Sequence, residues 1–126
     1  MDTTQYFYRN IIFSKRGNAI SLIDINDPDK GGQILESWFG VVIQLADGQH
    51  TIDELIKNFL AKYKGNPPSN LKQTILSVIE RLADSNFIVL TKESTKLPYY
   101  LSLPYEDLDI EKAKQILAKD RADIIK

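Results

Sequence analysis

At 126 residues the chain has room for about one domain, and its 43% hydrophobic content suffices for one modest core. Sixteen Lys and Arg against seventeen Asp and Glu give a net charge of -1, with no long block of one sign, so no basic arm or acidic tail points to a strong electrostatic partner. There is no cysteine, which excludes disulfides, thiolate metal sites and cysteine nucleophiles. The start, MDTTQYFYRN, has no apolar h-region, and no apolar run approaches the roughly 20 residues needed to span a bilayer. A soluble, cytoplasmic protein with no membrane association is expected.

The first segment, YFYRNIIFSKRGNAISLIDINDPDKGGQILES, is rich in Ile, Leu, Phe and Tyr and is interrupted by Lys15-Arg16-Gly17-Asn18, the pattern of a β-hairpin. A second interruption from Asn26 to Gly32 contains Pro28, which lacks an amide donor, and leaves only a short run from Gln33 to Glu36. Three antiparallel strands in a meander are expected, the third very short. The next stretch, Trp38 to Ala46, is apolar nearly all round, so periodicity alone does not separate buried helix from buried strand. Its ends favour helix: Ser37 suits an N-cap, and Asp47-Gly48 suits a helix C-terminus and a tight helix–helix turn.

Thr51 with Glu54 three residues on is a capping box, and Ile52, Leu55, Ile56, Phe59, Leu60 and Tyr63 then recur at helical spacing until Gly65, Pro67 and Pro68. Ser69 or Asn70 caps a third helix whose inward stripe is Leu71, Ile75, Val78, Ile79 and Leu82, and Phe87 to Leu90 returns as a strand or wing. The expected fold is α+β: a three-stranded antiparallel meander followed by a three-helix, winged-helix-like bundle over residues 1–92. Residues 93–126 add a linker stiffened by Pro98 and Pro104, then an amphipathic helix capped by Asp109, with Ile110, Ala113, Leu117 and Ile124 as its apolar stripe. A helix of that length is marginal alone in water, so it should dock on its own domain or on a partner.

Catalytic chemistry finds little purchase here. The single histidine, His50, lies in a polar turn beside the capping box, and Asp53 and Glu54 sit in a first helical turn, where the helix dipole favours negative charge. Asp24, Asn26, Asp27 and Asp29 lack EF-hand spacing, and Gly31-Gly32 lacks the pattern of a phosphate loop. No enzyme activity, metal or cofactor is expected. As a DNA-recognition helix the third helix would offer Lys72 and Arg81 alone, offset by Glu80 and Asp84, which argues against nucleic acid.

The same helix has a wide apolar face. Advancing 100° per residue from Leu71, the inward stripe covers about -20° to +80°, while Leu76 falls near ~140° and Ala83 near ~120°. Such a face either touches two neighbours or forms a groove beside the third strand. In the second case an extended peptide could add to that strand, its side chains dropping along Ile75, Leu76 and Ile79.

The order of a meander, an apolar first helix, L-A-D-G-x-x-T-I-D-E-L (Leu45 to Leu55), I-L-S-V-I-E-R-L (Ile75 to Leu82) and N-F-I (Asn86 to Ile88) resembles the PqqD-like family, the RiPP recognition elements. The resemblance runs from about Phe7 to Leu90. It implies a non-catalytic peptide chaperone. Family members bind the leader segment of a ribosomally made precursor peptide as an extra strand and present the peptide to a modifying enzyme, often a radical S-adenosylmethionine protein. Carried over by position, Gly32, Gln33, Ile34, Leu35 and Glu36 would pair with the leader, and Leu71, Lys72, Ile75, Leu76 and Ile79 would line the groove, with Lys72 facing an acidic leader side chain. The family's usual Leu-Asn followed by small residues is here Leu35-Glu36-Ser37-Trp38-Phe39, a departure that bears on how the helix start packs and which peptide fits. Two other readings stand beside it: a winged-helix nucleic-acid binder, and an adaptor that uses the C-terminal helix, in which loss of residues 104–126 abolishes partner binding without unfolding the rest. An exposed edge strand also permits pairing with a second copy as a homodimer.

Overall fold

A computed structural model describes residues 2–23, 34–63 and 65–125, with side chains through Asp120. The expected acidic tip around Asp24 to Asp29, and Gly32 and Gln33, lie outside these residues. The architecture is α+β, with antiparallel strands in sheets of three and two and five α-helices among the described residues.

The first apolar segment divides into two strands rather than one. β1 (Tyr6–Arg9) is the middle strand of one sheet, between β4 (Asp47–Thr51) and β5 (Ile88–Thr91), whereas β2 (Ile12–Arg16) pairs with β3 (Ala19–Ile23) in the other. The amides at the break explain the division: Arg9 N–H donates to the Ala46 carbonyl at 2.7 Å and Asn10 N–H to that of Phe87 at 2.8 Å. The chain stays in the first sheet through Asn10 and changes partner at Ile12. β2 and β3 meet through a two-residue turn in which Gly17, at φ 61°, takes the left-handed position that a hairpin turn of this length requires.

The expected third strand is, among the described residues, a single bridge from Ile34 to Ser21, backed by Leu35 N–H donating to the Ile20 carbonyl at 2.8 Å. The chain then enters α1 (Ser37–Leu45). Its N-cap is Glu36, without a side-chain capping bond, so Ser37 is the first helical residue and not the cap. α1 packs closely on β3: a Cβ at Gly40 would stand 3.1 Å from Ile20 Cγ1.

Asp47-Gly48 is not a helix–helix turn but the start of β4. β1 is central and carries the fully buried Phe7, so its backbone needs partners on both sides; β4 and β5 supply them. Gly48, at φ 79°, lies against Thr95, where a side chain would collide with the Thr95 carbonyl oxygen. α2 (Ile52–Ala61) opens on the expected capping box: Glu54 N–H donates to Thr51 Oγ1 at 3.2 Å and Thr51 N–H to Glu54 Oε1 at 3.1 Å. α3 (Leu71–Asp84) follows, its N-cap being Asn70 without a side-chain bond. Ile43, Ile52, Leu55, Ile75, Ile79 and Ile88 are essentially inaccessible and meet Phe7 in the main core, each contributing about 1.5–3 kcal/mol by burial.

The C-terminal segment is more than a linker. Pro98 and Pro104 each precede a helical turn, α4 (Tyr99–Ser102) and a 3-10 turn (Tyr105–Asp107), where a missing amide donor costs nothing. Leu101 and Leu108 are buried with Ile12 and Ala113 in a second cluster, and Asp109 Oδ1 accepts from Lys112 N–H at 3.3 Å to cap α5 (Ile110–Ile125). The final helix thus belongs to a segment docked on β2, and loss of residues 104–126 would uncover Ile12. Among the described residues no helix is long and apolar enough to cross a membrane.

Candidate functional site

Between the bridge segment 34–36 and α3 runs an open groove made of two adjoining hollows. The larger, about 500 Å³, is lined by Glu36, Trp38 and Phe39 on one side and by Asn70, Gln73, Thr74, Ser77, Val78 and Arg81 on the other. The smaller, about 280 Å³, lies between Ile34, Leu35, Glu36 and Phe39 and the end of α3, with Arg81, Leu82, Ser85 and Phe87. Glu36, Phe39 and Arg81 border both.

Local chemistry sets each wall. On the strand side, Leu35 turns into the core while Ile34 stays 68% exposed. Trp38 is shared: its ring packs 5.0 Å from that of Phe59 in α2, and its remaining surface forms the groove floor. The α3 wall is largely polar. Arg81 is exposed there and has no ion-pair partner among the described residues, so its charge is available to a ligand opposite Glu36.

The expected site residues divide in two. Ile34, Leu35 and Glu36 are brought to the groove. On α3, Leu71 at 2% and Ile75 and Ile79 at 0% exposure are core residues with no surface to offer a peptide. Leu76 is half-buried against the core, and Lys72 is exposed; by helical geometry they stand near ~140° and ~100° from Leu71. The groove-lining Ser77, Arg81 and Thr74 stand at about 240°, 280° and 300°, across the inward stripe from Lys72 and Leu76. The wide apolar face therefore packs inward, and the open groove lies along the other, polar flank. The signal for that flank in the sequence is weak, since Thr, Ser and Arg at solvent spacing look like any exposed helix face.

Elsewhere, His50 Nδ1 lies 2.8 Å from Asp47 Oδ1, both side chains a little over one-third exposed, a contact within β4 between its first and fourth residues. Among the described residues no group of three or more His, Asp or Glu is placed to hold a metal ion. The chain matches no protein-family model, no curated protein and no solved structure.

Proposed function

We propose that this chain is a non-catalytic peptide-binding domain of the PqqD-like kind, a chaperone that takes the leader segment of a precursor peptide as an added strand and presents the peptide to a modifying enzyme. One observation carries the reading: a short, weakly paired strand segment, residues 34–36, flanks a groove that follows α3 from Asn70 to Ser85. At 1.5 Å per helical residue that path is about 22 Å, room for about six extended residues at 3.3 Å each. Backbone pairing along 34–36 would supply affinity, and alternate side chains would meet the aromatic floor of Trp38 and Phe39 and the cation of Arg81. An acidic residue flanked by apolar ones is the peptide chemistry this lining fits. The role needs neither cofactor nor metal, and a cytoplasmic location suits it, where both precursor and modifying enzyme are made.

The test is a titration of isotope-labelled protein with synthetic leader peptides encoded by short reading frames beside its gene. Amide shifts confined to residues 34–39 and the Asn70, Thr74, Ser77, Arg81 flank are expected. Ser77→Trp, which fills the groove from an exposed position, should weaken binding at least about tenfold, and Arg81→Glu should do so for leaders with an acidic residue, whereas Lys72→Glu on the opposite flank should leave binding unchanged. Loss of binding in Lys72→Glu with normal binding in Ser77→Trp would move the peptide to the other side of α3. Shifts with duplex DNA and with no peptide would replace this reading by the nucleic-acid one.

A further inference from the structure

We propose that the C-terminal segment is a strand-edge cap, in which the carboxylate of Glu106 occupies the outer edge of β2 and keeps that edge from pairing with a second copy of this chain. A two-stranded hairpin has two outer edges. Beyond β3 lie residues 34–36. The outer edge of β2 would otherwise present unpaired backbone groups, the template on which strands of neighbouring molecules add.

Glu106 meets that edge directly. Its Oε1 accepts from Lys15 N–H at 2.9 Å, its Oε2 accepts from Ser14 Oγ at 2.6 Å, and Arg16 Nε stands 3.7 Å from the same oxygen. Three successive residues of β2 thus converge on one carboxylate, and the bonded Lys15 amide is the backbone donor that a neighbouring strand would use. The carboxylate is held from behind: Leu101 and Leu108, on either side of it in sequence, are buried beside Ile12, and the Arg9 Nε–H donates to the Leu101 carbonyl at 2.6 Å. The same segment treats the edge strand β4 alike, with Thr95 N–H donating to the Gly48 carbonyl at 2.9 Å and Gln49 Nε2–H to the Thr95 carbonyl at 2.7 Å. A second copy is the natural occupant of an uncapped β2, because two identical edges pair antiparallel about a twofold axis without any further complementarity.

The experiment uses the full chain. In the wild type the Lys15 amide should exchange with solvent at least about tenfold more slowly than an unprotected amide; exchange at the unprotected rate overturns the proposal whatever any variant does. In Glu106→Ala that protection should fall in dilute solution, and the weight-average mass by sedimentation should rise with concentration toward a dimer. Adding Lys15→Pro, which removes the outward N–H without removing a β2–β3 bond, should restore the monomer. A Glu106→Ala protein that keeps wild-type exchange and mass, or a dimer that Lys15→Pro does not dissociate, refutes the cap. No peptide enters these readings, so the cap and the peptide-binding proposal stand or fall separately.

Discussion

Replacing Arg9 by Met should separate the C-terminal segment from the rest of the protein. Arg9 is 4% exposed, and its guanidinium is a junction: Nε donates to the Leu101 carbonyl at 2.6 Å, Nη1 lies 3.2, 3.3 and 3.4 Å from the carbonyls of Ile43, Gln44 and Ala46 at the end of α1, and the group sits 4.8 Å above the Phe13 ring. Burial draws its pKa below the usual arginine value, with Asp47 opposing, yet the group stays charged. Methionine keeps most of the volume, so the loss is polar: about 1.5–3 kcal/mol for the short charge-assisted bond to Leu101 and about 1 kcal/mol for a cation at a helix C-terminus. The long Nη1 contacts add little, and the bond figure is already net of the cost of taking the charge out of water. About 3 kcal/mol remains, or roughly 10 °C in melting temperature for a chain of this size. Urea unfolding of the full chain measures it, and amide exchange should show Leu101 to Leu108 losing protection before the main core. Arg9→Lys, with a compact ammonium that cannot span both sides, should recover no more than about half. An Arg9→Met protein within about 0.5 kcal/mol of wild type, or an Arg9→Lys protein equal to it, would refute this account of the junction.

Gly48→Ala should destabilise by more than about 2 kcal/mol, since φ 79° disfavours a side chain and the new methyl would meet Thr95, whose Cγ2 is 2.7 Å from the Cβ position; urea midpoints measure it. Thr51→Ala should cost about 1 kcal/mol and about 4 °C by loss of one half of the capping box, read by thermal melting. Desolvation pushes the Glu106 carboxyl upward, but hydrogen bonds from Ser14 and the Lys15 amide, with Arg16 nearby, outweigh it and hold the pKa below the ordinary 4.5. A carboxyl with a depressed folded pKa stabilises above its unfolded value and loses that contribution as pH falls through the folded value. The stability gap between wild type and Glu106→Gln should therefore be full at pH 6 and close as pH drops below about 4.5 in a urea-unfolding series.

Local signals in the sequence carried much of the fold. Thr51 and Glu54 name a helix start by two bonds that need no tertiary partner, and Gly17 marks a turn by its own backbone freedom. What depended on distant residues was hidden. Asp47 to Thr51 has little strand propensity and becomes β4 only because β1 lies beside it, with Arg9 N–H and the Gln5 carbonyl bonding at its two ends. The break at Asn10 follows from the Ala46 and Phe87 carbonyls, and the burial of Leu101 from Ile12. An arginine nine residues into the chain gives no sign that it will bond a carbonyl 92 positions away.

The groove shows the same limit more sharply. Periodicity gives the width of an apolar stripe but not which of its two margins faces an opening, because a margin is defined by the neighbour that fails to cover it. Leu76 makes its margin the more apolar one, yet an apolar side chain at a stripe's border is itself driven to find cover, and it packs against the core. The margin left open is the one whose residues, Thr74, Ser77 and Arg81, lose least by staying wet. If a peptide binds there, its affinity rests more on strand pairing along residues 34–36 and on the aromatic floor of Trp38 and Phe39 than on α3, which would select among peptides chiefly through Arg81. The expected pattern is that Arg81→Glu changes which leaders bind while Phe39→Ala weakens all of them, and competition between an acidic leader and its Asp→Asn or Glu→Gln counterpart distinguishes the two effects.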